Sequence, residues 1–189
     1  VVQNEKEFEI AENELVAGRY QLVSKIEEMN SAENWKAKHL AGQFECAVSI
    51  YRDAGQNWPY VNEEFSQLIR LYHPYIERVF DFGVIEQPNL YYISRAWVEG
   101  EPLQEAGKLA DSGKLLLWFK CMLVGLQYLH SQGLLHRNIT PGNMICSDTA
   151  SVMVNFSGLP AQMRIAENIG YTDPLLAETG WSHESDLYS

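Results

Sequence analysis

Two hydrophobic periodicities divide this chain, and they constrain its fold more than any other feature. From Gly18 to Trp97 most apolar residues come in short aromatic and β-branched runs, the signature of strands. Arg19–Ile26, Trp35–Leu40, Phe44–Tyr51, Val79–Val84 and Leu90–Trp97 each read as a strand, with Gly42 in the turn between the second and third. One segment breaks the pattern: in Asn62–Tyr72, residues Phe65, Leu68, Ile69 and Tyr72 fall on one face of a helix. Further on, Leu115–His130 is a long amphipathic stretch. Leu116, Phe119, Leu123, Leu126 and Tyr128 recur there at about helical spacing, and Gly133 stands where a C-cap glycine belongs. Short runs at Met144–Cys146 and Ser151–Asn155 predict a hairpin. The pattern therefore predicts an α+β chain: an acidic tail over 1–17, a small sheet with one inserted helix over 18–97, and a mostly helical part over 98–189.

Composition removes several function classes. The 189 residues carry 25 acidic and 14 basic side chains, a net charge of −11. A phosphate backbone or an anionic membrane surface repels such a chain, so no nucleic-acid partner is expected. Five glutamates against one lysine make residues 1–17 read as a solvated acidic tail, with docking of Phe8, Ile10, Leu15 and Val16 on a partner or on the domain as the alternative. The strongest apolar run, Leu115–Leu126, contains Lys120 and falls short of the roughly 20 residues a membrane span needs, so no membrane insertion is expected. The opening VVQNEKEFEI lacks the basic start and apolar run of a secretory signal. Cys46, Cys121 and Cys146 form no CxxC pair, which predicts a reducing, cytoplasmic setting and no zinc site.

Tyr128–Ile145, YLHSQGLLHRNITPGNMI, is the most informative stretch. Its centre, His136-Arg137-Asn138-Ile139-Thr140-Pro141-Gly142-Asn143, resembles the protein-kinase catalytic loop H-R-D-L-x-x-x-N, with helix, turn, loop and strand in the right order. Asn155-Phe156-Ser157 follows at the place of D-F-G, and Gly170–Leu175 resembles the region ending in A-P-E. Asp186, in Ser185-Asp186-Leu187-Tyr188-Ser189, matches the buried aspartate that opens the next helix. Upstream, Cys46-Ala47-Val48-Ser49 aligns with V-A-I-K, and Glu64, nine residues before His73, aligns with the glutamate of the inserted helix. The resemblance covers about residues 18–189. It implies a bilobal kinase-like fold, with a β-rich N-lobe over 18–97 and a helical C-lobe over 98–189 that looks truncated, since a kinase lobe continues with further helices.

The parts that phosphoryl transfer requires are altered. A kinase covers the phosphates with a Gly-rich loop, grips them with a lysine, and holds magnesium with an aspartate and an asparagine. Here the corresponding loop, EEMNSAENW, has no glycine, and Glu27 and Glu28 would repel phosphate. Ser49 stands at the lysine position. Asn138 stands at the proton-accepting position, where an amide is no base near neutral pH. Asn155 stands at the main metal position, where a neutral amide oxygen binds magnesium far more weakly than a carboxylate. Asn143 alone remains of the metal pair, so no metal site is expected.

The packing parts are kept. The resemblance implies an internal stack of Leu68, Val79, His136 and Phe156, with Ala47 and Ile145 where an adenine ring would lie. Together with Glu64, Asn143 and either Ser94 or Arg95 at the back, these residues outline a vestigial nucleotide pocket. Lys36 or Lys38 on the second strand stands as a replacement for the missing lysine, or both are solvated. The resemblance then implies no enzyme: a pseudokinase that acts as a scaffold or regulatory module for a protein partner or for other domains of a longer chain. No cofactor is expected. The alternative is a weak or atypical Ser/Thr phosphotransferase, or a nucleotide sensor that binds ATP without magnesium.

Overall fold

The computed structural model describes residues 10–28, 32–51, 62–63, 65–85, 90–156 and 169–188. The chain divides into two compact units, one holding residues up to 58 together with 80–97, the other holding 59–79 and 98–189. The first is built on a six-stranded sheet: β1 Leu15–Val16, β2 Tyr20–Glu28, β3 Ala32–His39, β4 Phe44–Tyr51, β5 Val79–Ile85 and β6 Leu90–Ala96, in the order β1-β2-β3-β4-β6-β5. Period-two alternation sorts its side chains. Ile10, Val16, Tyr20, Leu22, Trp35, Ala37, Cys46, Val48, Ile50, Leu90 and Tyr92 form one buried core, so the end of the stretch read as a solvated tail packs on the sheet. Each such aromatic ring removes about 150–250 Å² from water, a gross gain of roughly 4–6 kcal/mol at about 25 cal/mol per Å². Glu33 is buried beside this core, where the Trp35 indole N–H donates to it at 2.9 Å and the Lys25 ammonium lies at 3.4 Å.

The opposite face of the sheet carries the polar row. Asn34 pairs across to Ser49 and Ser49 to Ile93, while Lys36 pairs to Ala47 and Ala47 to Arg95. Directly opposed residues share a face, so all six lie on one side.

The second unit contains β7 Glu101–Pro102, α1 Leu103–Ala106, α2 Ser112–Ser131, β8 Met144–Cys146, β9 Ser151–Met153, α3 Leu176–Thr179 and α4 His183–Tyr188, with β7-β8-β9 as a small sheet. Residues 59–79 group with it. The physical tie is the bridge between Ile76 and Met153, where Glu77 N–H donates to Met153 O and Met153 N–H to Tyr75 O, both at 3.0 Å. The helix expected over Asn62–Tyr72 stops at Leu68: helical backbone covers 62–63 and 65–68, and a turn follows. His73-Pro74 disfavours helical backbone at residue 73, but it does not reach the observed end at Leu68. Leu68 and Leu71 are buried, while Tyr72 is 78% exposed.

α2 begins where the Asp111 carboxylate accepts from Lys114 N–H at 2.8 Å, and it ends before Gly133, at φ +73°. Its buried stripe differs from the expected one: Trp118, Cys121, Gly125, Leu126 and Leu129 face inward, while Leu116, Phe119 and Leu123 are exposed. Gly125 explains the offset. A methyl group there would stand 2.9 Å from Met153 Cε and 3.2 Å from Tyr75 O, so the glycine lets α2 lie close against β9 and the Tyr75 backbone. Among the described residues no helix is long and apolar enough to cross a membrane.

Candidate active site

The loop after α2 is held by one buried carboxylate. Asp186, at the start of α4, accepts from the backbone N–H groups of His136 and Arg137, both at 2.8 Å, and from His130 Nε2 at 2.9 Å. Arg137 has φ +62°, a left-handed conformation that costs a non-glycine residue about 1–2 kcal/mol. The two charge-assisted bonds to Asp186 offset that cost. His136 is fully buried, and its ring lies 4.3 Å from that of Phe156; Leu68 and Val79 are buried in the same unit.

Three asparagines close a ring of hydrogen bonds on this loop. Asn138 Nδ2 donates to Asn155 O at 2.6 Å, Asn143 Nδ2 to Asn138 O at 3.0 Å, and Asn155 Nδ2 to Asn143 Oδ1 at 2.9 Å. Asn155, at φ +57°, is fixed from the other side by its N–H, which donates to the buried carboxylate of Glu77. Sequence reasoning missed Glu77, because nothing in its neighbourhood pattern marks it. The three residues expected at the base and metal positions are thus brought together as an amide cluster. Its own side chains offer neutral donors and acceptors, and the carboxylate beside it, Glu77, accepts from the Asn155 N–H. A magnesium ion, a hard cation held best by carboxylates, does not fit this donor set. Ile145 lies in β8, opposite Val152, half-buried.

On the sheet of the first unit, Ser94 and Arg95 lie on opposite faces of β6. Ser94 Oγ donates to Tyr20 Oη at 2.9 Å and contacts Asp81 O at 3.4 Å, on the core side. It belongs to a cluster in which Arg19 Nη1 pairs with Asp81 at 2.9 Å, and Tyr20 and Tyr92 hydroxyls donate to the same carboxylate at 3.0 and 3.2 Å. Burial, with the aspartate beside them, pushes both phenols up to about 12. Arg95 lies on the other face, with Ala47 and Ser49. Its guanidinium Nη2 donates to Ser49 Oγ and, at 3.3 Å, to Asn34 Oδ1, and Ser49 Oγ also donates to Asn34. Lys36 is engaged elsewhere: its ammonium sits 2.9 Å from Glu45 Oε1 and 4.6 Å from the centre of the Trp97 ring. Lys38 is exposed. Glu64, Ser157 and the tip of the loop between β2 and β3 lie outside the described residues.

A family profile described as "Protein kinase domain" matches residues 16–177. The chain belongs to the protein kinase family. The DNA damage-responsive serine/threonine-protein kinase RqkA of Deinococcus radiodurans is 30% identical over 78% of this chain, which covers 23% of that relative. Serine/threonine-protein kinase PknA of Mycobacterium tuberculosis is 28% identical over 76% of the chain and 36% of its own length. The chain therefore spans about a quarter to a third of these curated relatives. Among solved structures, the PknI kinase domain of Mycobacterium tuberculosis superposes with a TM-score of 0.75 at 22% identity, over 95% of this chain and 72% of that one. The α+β kinase-like fold expected from the motifs is thus present.

The expectation that the chain is no enzyme is overturned. Its relatives, including serine/threonine-protein kinase D of Synechocystis at 25% identity, are named as protein kinases and match over three quarters of the chain. Asp186 holds the backbone of His136 and Arg137, and His136 packs on Phe156, independently of the residues at positions 49, 138 and 155.

Proposed function

We propose that this chain is an atypical Ser/Thr kinase domain that binds a nucleoside triphosphate without magnesium, transfers its phosphoryl group slowly, and serves chiefly as a protein-binding regulatory module. The partner is another polypeptide or further domains of a longer chain. The observation that carries this reading is the ring of Asn138, Asn143 and Asn155. It keeps a loop geometry suited to phosphoryl transfer while replacing the charged groups with amides. A general base contributes about 10²–10⁴-fold. Its absence alone lowers turnover well below the roughly 1–100 per second of ordinary kinases.

The test is phosphoryl transfer to a generic serine/threonine substrate, with and without magnesium, for the parent chain and for Asn155→Asp. Slow, metal-indifferent transfer that becomes faster and magnesium-dependent in Asn155→Asp is expected. Ordinary turnover in the parent with magnesium overturns the proposal, and so does the absence of both nucleotide binding and transfer.

A further inference from the structure

Resting on the proposed nucleotide binding, we infer that Arg95 is the phosphate-gripping cation of this domain, supplied from β6 in place of the lysine that Ser49 has displaced on β4. Three independent features of the first unit converge on it. Register puts Arg95 opposite Ala47 and places Ser49 two residues further along β4 on the same face. The guanidinium crosses from its own row to the next one, where it bonds Ser49 Oγ and Asn34 Oδ1. It therefore stands where a side chain at position 49 begins. Arg95 is also only 4% exposed, so its charge is fixed in place instead of sweeping through solvent.

Two lysines share this face. Lys36 is held between Glu45 and the Trp97 ring, and Lys38 is exposed. Ser49 and Asn34, two of the groups that receive Arg95, are neutral and also bond one another. A phosphate oxygen can take over guanidinium N–H donors from those two and leave their mutual bond intact.

A guanidinium presents a planar fork that binds phosphate through two parallel N–H bonds, and it stays charged at any working pH. It can thus neutralise part of a triphosphate without a metal. The ligand class is a nucleoside di- or triphosphate. A nucleoside without phosphates gains nothing from Arg95.

The test compares binding of ATP and adenosine, each in excess EDTA, by isothermal titration to the parent chain, Arg95→Met, Arg95→Lys and the double variant Ser49→Lys/Arg95→Met. The parent is expected to prefer ATP over adenosine by at least tenfold. Arg95→Met should lose that preference while keeping its adenosine affinity. Arg95→Lys, which keeps the charge without the fork, should fall between them and covers the case in which Arg95→Met does not fold. The double variant, which returns a cation to position 49, should regain the preference. An undiminished preference in both single variants overturns the role of Arg95. A parent that binds adenosine with no preference for ATP overturns it too and leaves the nucleotide site standing. A parent that binds neither ligand removes the nucleotide-binding reading, and the inference with it.

Discussion

The offset of the buried stripe on α2 predicts a sharp asymmetry between two leucines of the same helix. Leu129 is 0% exposed and Leu123 is 52% exposed. Truncating Leu129 to alanine removes the transfer free energy of a fully buried side chain and leaves a cavity, a loss of about 2–5 kcal/mol. At Leu123 roughly half of a full burial of about 1.5–3 kcal/mol is at stake, so Leu123→Ala costs about 1 kcal/mol or less. Alanine's higher helix propensity returns a few tenths, ~0.2 kcal/mol. With a urea slope of about 2 kcal/mol per M, Leu129→Ala should lower the midpoint by roughly 1–2.5 M, and Leu123→Ala by less than about 0.5 M. Far-UV circular dichroism followed through a urea titration reads both, because α2 is the longest helix among the described residues. Equal shifts in the two variants would refute the assignment of the inward face. So would a larger shift for Leu123→Ala.

Two further outcomes follow from burial. Cys46, Cys121 and Cys146 are all buried, and burial pushes the Cys46 and Cys146 thiols up to about 11, so reaction of native protein with a thiol reagent at pH 8 should be slow and become fast for all three on unfolding; a rapidly labelled thiol in the native chain contradicts this. His73 Nδ1 accepts from Tyr75 N–H at 3.3 Å, its ring stacks on Tyr128, and burial holds its pKa below the usual histidine value. The neutral ring is the folded form, so its contribution to stability is intact above about pH 6.5 and is lost as pH falls through that unfolded value towards the lower folded one. His73→Gln should flatten the acid side of the stability profile below about pH 6.5, and an unchanged slope would count against the assignment.

Much of this protein was legible along the chain. Short aromatic and β-branched runs placed β2, β3, β4, β5 and β6, because strand preference of these residue types is local and needs no knowledge of their neighbours. The catalytic-loop motif was readable for a similar reason: its residues lie within one short stretch, so their order alone carries the resemblance. Stripe choice on α2 was not readable. Its pattern offered large apolar side chains on one face, and the structure buries the face with Cys121 and Gly125, where small residues permit close approach to β9. Nor was the polarity of β6. Ser94 and Arg95 point to opposite sides of the sheet, and only strand register says which one meets Ser49.

The sequence by itself determined the α+β character and the kinase-like order of motifs. These depend on local periodicity and residue type. The tertiary structure decided that Arg95 reaches Ser49 and Asn34, that hydrogen bonds link three asparagines, and that Glu77 fixes Asn155 from 78 residues away. Hydrogen bonds between groups far apart in the chain depend on register and distance, and neither is written in any single segment.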